Sequence, residues 1–242
     1  SIIKYIYMKD LSIVLSTYNE ANNIRQTINS LLTKNNVKEI IIIDDNSNDG
    51  TVDVLKKLQN SKIKIVIRKK IRGFASAFID GLKIATGDYI LRFDLDMYES
   101  IDFFFDAFQK ISTNEDCIIF SRYIGNGKDY RSIYRSMPSY ILNKLCQKLL
   151  YSKIKDYTSC IIIFKRDILS EIFPKNTHYA NFIIDFIFEM IRKNKNIKEV
   201  PFVQNKITEA NSKSAPNVIK FLFNGSFYLF SILRCMFIKL LN

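Results

Sequence analysis

The sequence predicts an α/β fold, a mostly parallel sheet flanked by helices, from three observations. Short apolar runs alternate with amphipathic segments over the first hundred residues. The runs are almost unbroken in Ile, Val and Leu, as in strands covered on both faces. Polar residues gather directly after them, at the carboxyl edge where open α/β sheets bind ligands.

Each element follows in order. LSIVLS (11–16) is a buried strand. NEANNIRQTINSLLTKN (19–35) spaces Ile24, Ile28, Leu31 and Leu32 along one helical face. EIIIIDD (39–45) is a second strand, and DGTVDVLKKLQN (49–60) a second helix with Asp49 as its cap. KIKIVIR (62–68) and FASAFIDGLKIAT (74–86) repeat the alternation, and YILRFDLD (89–96) is the fourth strand. The second half is less regular. CIIFSRY (117–123) reads as a strand, followed by a basic loop over 124–136 and helical patterning through 137–150. CIIIFKRDIL (160–169) is a strand running into a helix, and FIIDFIFEMIRKN (182–194) a strongly apolar helix. IKEVPFVQNKI (197–207) is a strand whose Pro201 favours an edge or a bulge.

Composition narrows the function classes. The 242 residues suffice for one α/β domain with a substantial core, and 48% hydrophobic content argues against global disorder. Net charge is +12, which favours an anionic partner: nucleic acid, a phosphate-bearing substrate or an anionic membrane surface. No nucleic-acid recognition motif accompanies that charge, so nucleic acid is not expected as a partner. Four scattered cysteines and a single histidine argue against a zinc site and a disulfide scaffold, and fit a reducing compartment. No cleavable signal peptide is evident, and residues 1–10 read as an extension before the domain. Residues 217–242 are rich in Phe, Leu and Ile, with Lys220, Arg234 and Lys239 among them. An interfacial or re-entrant helix is the first expectation, a helix docked on the domain the second, a spanning helix the third.

The carboxyl edge carries the chemistry. Thr17, Tyr18, Asn19 and Glu20 follow the first strand, Asp44 and Asp45 end the second, and Asp94 and Asp96 end the fourth. Alternate residues of a strand share a face, so Asp94 and Asp96 would sit close together and repel. Oxygen ligands so arranged suit Mg²⁺ or Mn²⁺, particularly when a diphosphate completes the coordination. Asp44 and Asp45 either bond a ribose or base or cap the turn DDNSNDG, one residue for each task. Neither GxxxxGK[ST] nor GxGxxG occurs, so P-loop and dinucleotide readings lack their fingerprints.

LSTYNEANNI, IIIIDDNSNDGT, RGFASAFIDGLKIATGD and FDLDM, in that order and spacing, resemble the large inverting glycosyltransferase family with the GT-A fold. Within it, SRY (121–123), YRS (134–136), DYTSC (156–160) and EVPF…SK (199–213) look most like dolichyl-phosphate mannose synthases. The resemblance implies a GT-A domain over 11–213, with 214–242 a membrane-associated or docking helix. It also implies a nucleotide-sugar donor, GDP-mannose above all, a divalent metal, and a dolichyl or polyprenyl phosphate acceptor at the cytoplasmic face of a membrane. Thr17, Tyr18, Glu20, Asp44 and Asp45 then lie at the nucleotide, with Arg72 and Asp88 near the donor. Asp94 and Asp96 face the metal and donor diphosphate, and Arg122, Arg135 and Lys213 the acceptor phosphate. From the residues alone, Arg122 and Arg135 serve as well in a structural salt bridge or a solvated loop. A phosphate acceptor is already an anionic nucleophile, so it needs positioning more than a general base. The chain departs from the family at Tyr98, where Gln is usual, at ITEANSK (207–213) and at Cys160.

Overall fold

The computed structural model describes residues 9–70, 73–175, 179–205 and 218–241, with side chains from Phe223 onward in the last segment. The first half alternates as expected: β1 (Leu11–Thr17), α1 (Ala21–Leu32), β2 (Val37–Asp44), α2 (Thr51–Lys56), β3 (Ile63–Ile67), α3 (Phe74–Ile84) and β4 (Tyr89–Arg92). A 3₁₀ turn over Leu95–Ser100 leads into α4 (Ile101–Gln109). Then come β5 (Cys117–Ser121), β6 (Lys128–Asp129), α5 (Ile133–Leu149), β7 (Ile162–Lys165), α6 (Phe182–Arg192), β8 (Ile197–Pro201), β9 (Val203–Gln204) and α7 (Val218–Leu241).

Seven strands form one sheet in the order β3-β2-β1-β4-β7-β5-β8, and β6 pairs with β9 beside it. All neighbours in the large sheet run parallel except β7, which is antiparallel to both β4 and β5. Chain direction therefore reverses only at β7, which begins at the edge where its neighbours end. Pro201 closes β8, an edge strand, where its missing N–H costs no ladder bond.

The alternation of strand side chains splits the core in two. Ile40 and Ile42 join Leu11, Ile13, Leu15, Ile24, Ile28 and Phe104 under α1 and α4. Ile41 and Ile43 face the other way, with Val14, Phe78, Phe182 and Phe186, under α3 and α6. Gly81 lets α3 lie close on the sheet, for a Cβ there would stand 2.3 Å from Val14 Cγ1.

α7 packs against α6 and α5 along one side only. Arg234 Nη2 pairs with Asp185 Oδ2 at 2.8 Å, and Asn181 Nδ2 donates to Ser231 Oγ at 2.8 Å. Ile232 and Cys235 join the core beneath. Phe223, Phe230, Leu233, Phe237 and Leu240 remain exposed on the opposite side. By length and composition alone Phe223–Leu241 is able to cross a membrane.

Candidate active site

The loops after β1 and β2 are fastened to each other. Asn19 and Asn46 adopt left-handed backbone conformations, φ 56° and 57°, which Asn tolerates better than most residues. Asn19 N–H donates to Ser47 Oγ at 2.8 Å, and Asn48 N–H to Asn19 Oδ1 at 3.0 Å. Asp49 reaches both helix starts, accepting from Ala21 N–H of α1 at 3.0 Å and from Thr51 N–H of α2 at 3.0 Å. Burial pushes the Asp49 carboxyl up, but the bonds from Thr51 and Ala21 outweigh it and hold it below its usual range. The cap position of α2 is Gly50, at φ 96°, so Asp49, expected there, stands one residue earlier and accepts from the first helical N–H of both α1 and α2.

The neighbouring acids are committed inward. Asp44 is fully buried and accepts from Thr17 Oγ1 at 2.8 Å and Ser47 N–H at 2.8 Å. Asp45 accepts from Arg68 Nε and Gly73 N–H, each at 2.7 Å. Asp44 therefore caps the turn while Asp45 joins the ends of β2 and β3 to the start of α3. Tyr18 and Glu20 line the same rim, partly exposed, and Glu20 accepts from Asn23 Nδ2 at 3.0 Å.

The acid pair lies differently from the expected strand ending. β4 stops at Arg92, and Asp94 caps a 3₁₀ turn that contains Asp96. Asp96 is exposed to solvent, although protein atoms crowd around its carboxyl. Burial there, then the charges of Asp94 and Glu20, push its carboxyl up to about 7. Asp94 is ion-paired with Arg92. Among the described residues, no three His, Cys, Asp or Glu side chains form a closed cage for a metal. What the recess offers is an open, over-negative rim that a cation and a further anionic ligand would complete.

The other predicted residues scatter. Arg122 is buried, bonding Asp156 through Nε at 2.8 Å and Nη2 at 2.7 Å, Thr158 through Nη2 at 2.7 Å, and Asp129 through Nη1 at 3.3 Å. Burial alone would lower the guanidinium's pKa, but the Asp156 carboxylate beside it carries it higher instead. Of the two readings of Arg122, the geometry takes the structural ion pair, because its donors are already used inside the fold. Arg135 sits half-buried in the first turn of α5, and its guanidinium has no partner among the described residues. Asp88 precedes β4, at the end of the strand opposite Asp94, and accepts from Asp10 N–H at 3.2 Å. A residue there is a strand's length from the acid pair and is not brought together with it. Arg72 and Lys213 lie outside the described residues.

Residues 12–173 match Glycosyl transferase family 2. The chain belongs to that family. Among curated relatives of this family 2 chain, a dolichol-phosphate mannosyltransferase of Pyrococcus furiosus is 32% identical over 122 residues, 49% of this chain and 34% of that protein. A poly-beta-1,6-N-acetyl-D-glucosamine synthase of Staphylococcus aureus is 35% identical over 91 residues, 37% of this chain and 22% of that one. The matched stretches thus span about a third or less of those relatives. Among solved structures, mannosyl-3-phosphoglycerate synthase from Rubrobacter xylanophilus superposes with a TM-score of 0.72 at 13% identity, over 96% of this chain and 75% of that one. Glucosyl-3-phosphoglycerate synthase from Mycobacterium tuberculosis, in complex with Mn²⁺, UDP and glucosyl-3-phosphoglycerate, superposes with a TM-score of 0.69 at 14% identity, over 94% and 80%. These likenesses establish the GT-A fold.

Two buried arginines at the carboxyl edge of this family member escaped the sequence reading. Arg68 bonds Asp45, Ser76, Asp80 and the Gly73 carbonyl. Arg92 bonds Asp94 and the Cys160 carbonyl. Part of the signal was present: an arginine ending an apolar strand must find partners, and Arg92 has Asp94 two residues on, whereas the acids that hold Arg68 are distant in sequence.

Proposed function

We propose that the chain is a metal-dependent inverting glycosyltransferase that moves a hexose from a nucleotide diphosphate onto a polyprenyl or dolichyl phosphate. Mannose from GDP-mannose is the specific assignment, and the site is the cytoplasmic face of a membrane. The observation that carries the reading is the recess at the exit of β4. Three acids, Asp94, Asp96 and Glu20, stand together there, and burial followed by the charges of Asp94 and Glu20 pushes the Asp96 carboxyl up to about 7.

The residues fit Mg²⁺ or Mn²⁺, which take one or two carboxylates with phosphate oxygens completing the shell. Asp96 would hold the ion, with Asp94 beside it. Bound there, the ion would neutralise charge on the departing diphosphate. The fastened loops after β1 and β2 present Tyr18 and Glu20 as a fixed wall for the nucleotide, with Thr17 buried behind them on Asp44, so little ordering is left for binding to impose. Arg135, unpartnered among the described residues, is free to grip the acceptor phosphate, and Lys213 is assigned to the same task. The phosphate attacks the anomeric carbon in line with the leaving diphosphate, and no carboxylate base is needed. Similarity to the Pyrococcus dolichol-phosphate mannosyltransferase supports the lipid acceptor, and the exposed apolar side of α7 supports a membrane surface.

Similarity to the Staphylococcus synthase favours a second reading with the same donor chemistry and a glycan acceptor. A matrix of GDP- and UDP-sugars against dolichyl and shorter polyprenyl phosphates, with and without metal, decides between them. Label recovered in an acid-labile lipid supports the first reading. Label found only in water-soluble or polymeric glycan overturns it.

A further inference from the structure

Arg92 ends β4 with its guanidinium 3% exposed, an unusual place for a cation beside a cleft that needs one. Three segments meet on it. It is ion-paired with Asp94, and Nη1 donates to the Cys160 carbonyl at 2.7 Å. Its Cζ lies 4.3 Å from the centre of the Phe74 ring, at the start of α3. Asp94, by contrast, keeps 48% of its side chain exposed. A buried, doubly bonded and stacked partner thus grips a carboxylate that would otherwise swing freely.

We propose that Arg92 is a positioning residue with two effects on the proposed metal and donor site. Its planar guanidinium, fixed by Nη1 on the Cys160 carbonyl and by Phe74, directs Nη2 at one oxygen of the Asp94 carboxylate and so anchors that side chain. Its fixed positive charge offsets part of the acid rim's field, keeping affinity for a bare divalent cation low, so that the ion is held well only together with a donor diphosphate. The bond to the Cys160 carbonyl ties this grip to the segment that carries Asp156 and Thr158, the partners of Arg122. The inference rests on the metal reading above but not on the identity of sugar or acceptor.

The test titrates the full chain with Mn²⁺ alone, then with UDP and with GDP, following the free ion by electron paramagnetic resonance. Arg92→Gln removes the charge while keeping a donor for the Cys160 carbonyl. Arg92→Lys keeps the charge and loses the fork. Arg92→Gln should bind bare Mn²⁺ about tenfold more tightly, the effect of a unit charge roughly 6 Å from a divalent ion at near-aqueous dielectric. Its turnover should fall through kcat more than through the donor KM. Arg92→Lys should bind Mn²⁺ within about threefold of wild type while its kcat drops. Arg92→Gln binding no tighter than wild type, or Arg92→Lys shifting as far as Arg92→Gln, overturns the proposal. If Arg92→Gln shows no melting transition, Asp94→Asn replaces it: the uncompensated guanidinium should weaken Mn²⁺ binding more than tenfold, and unchanged binding overturns the idea. A wild-type chain that binds no Mn²⁺ in any arm overturns the metal reading and this one together. Failure to transfer sugar, with these titrations as expected, overturns the transfer reading alone.

Discussion

Replacing Arg122 by Met tests whether this arginine is a structural element or a ligand contact. The substitution keeps the volume of the buried stem and removes every guanidinium bond. Asp156, fully buried, would lose two bonds at 2.7 and 2.8 Å and keep the Arg122 and Thr158 backbone N–H groups, at 3.0 and 3.3 Å. Asp129 would retain Arg131, bonded at 2.6 and 2.8 Å. The cost is therefore that of stranding one buried carboxylate, about 3–5 kcal/mol. That is a large share of a typical domain's stability of roughly 5–15 kcal/mol. For a chain of this size it corresponds to a fall in Tm of about 6–20 °C. Thermal and urea unfolding followed by circular dichroism read it directly. Arg122→Met combined with Asp156→Asn removes the stranded charge and should recover a substantial part of the loss, giving a coupling energy of about 2 kcal/mol or more. A single variant that melts within about 2 °C of wild type yet loses transfer would refute the structural assignment and return Arg122 to the substrate.

Asp96→Ala should abolish transfer while leaving the melting transition in place; normal turnover would sink the metal assignment. The raised Asp96 carboxyl means that the metal-free folded chain binds more protons than the unfolded one between pH of about 4 and about 7. Its contribution to stability is therefore full below that window and is lost as pH rises through it. Melting at pH 5 and pH 8 should show this loss, and Asp96→Asn should remove that part of the pH dependence. Gly81→Ala places a Cβ 2.3 Å from Val14 Cγ1, so overpacking should outweigh the gain in helix propensity and destabilise by about 1–2 kcal/mol in urea melts. Phe230→Asp with Phe237→Asp, at side chains each 64% exposed, should abolish co-sedimentation with anionic vesicles without lowering Tm; retained sedimentation would remove α7 from the membrane contact.

The parallel half of the sheet was legible because its strands are buried on both faces, and such strands show as unbroken apolar runs. α4 went unread although Phe104, Phe105 and Phe108 mark its inner face. It follows the 3₁₀ turn of the acid pair directly, with no Gly or Pro to mark its start. The FDLD segment was misread as strand because its alternation of apolar and acidic residues mimics a period of two, whereas the backbone leaves the ladder at Arg92. Burial decided the rest. A motif shows which residue types stand near a site, but not that Asp44 and Arg122 spend their hydrogen bonds inside the fold. Asp88 precedes β4 and Asp94 follows it, so chain order already sets the two at opposite ends of the strand, and only the motif resemblance groups them.

The reversal at β7 has a consequence for how such a chain diversifies. β5 and β7 are neighbours in the sheet and consecutive in it, an antiparallel hairpin whose connection, residues 122–161, leaves and re-enters at the same edge. That connection carries Arg135, the Arg122–Asp156 lock and the Cys160 carbonyl, and it interrupts no strand. It can lengthen, shorten or change its contacts while both anchoring strands stay in register. The acids Asp44, Asp45 and Asp94 belong to strand exits of the parallel half, whereas Arg135 and the Arg122–Asp156 lock hang between two fixed posts. The Arg92 bond to the Cys160 carbonyl is the place where the far end of that connection is tied back to the exit of β4.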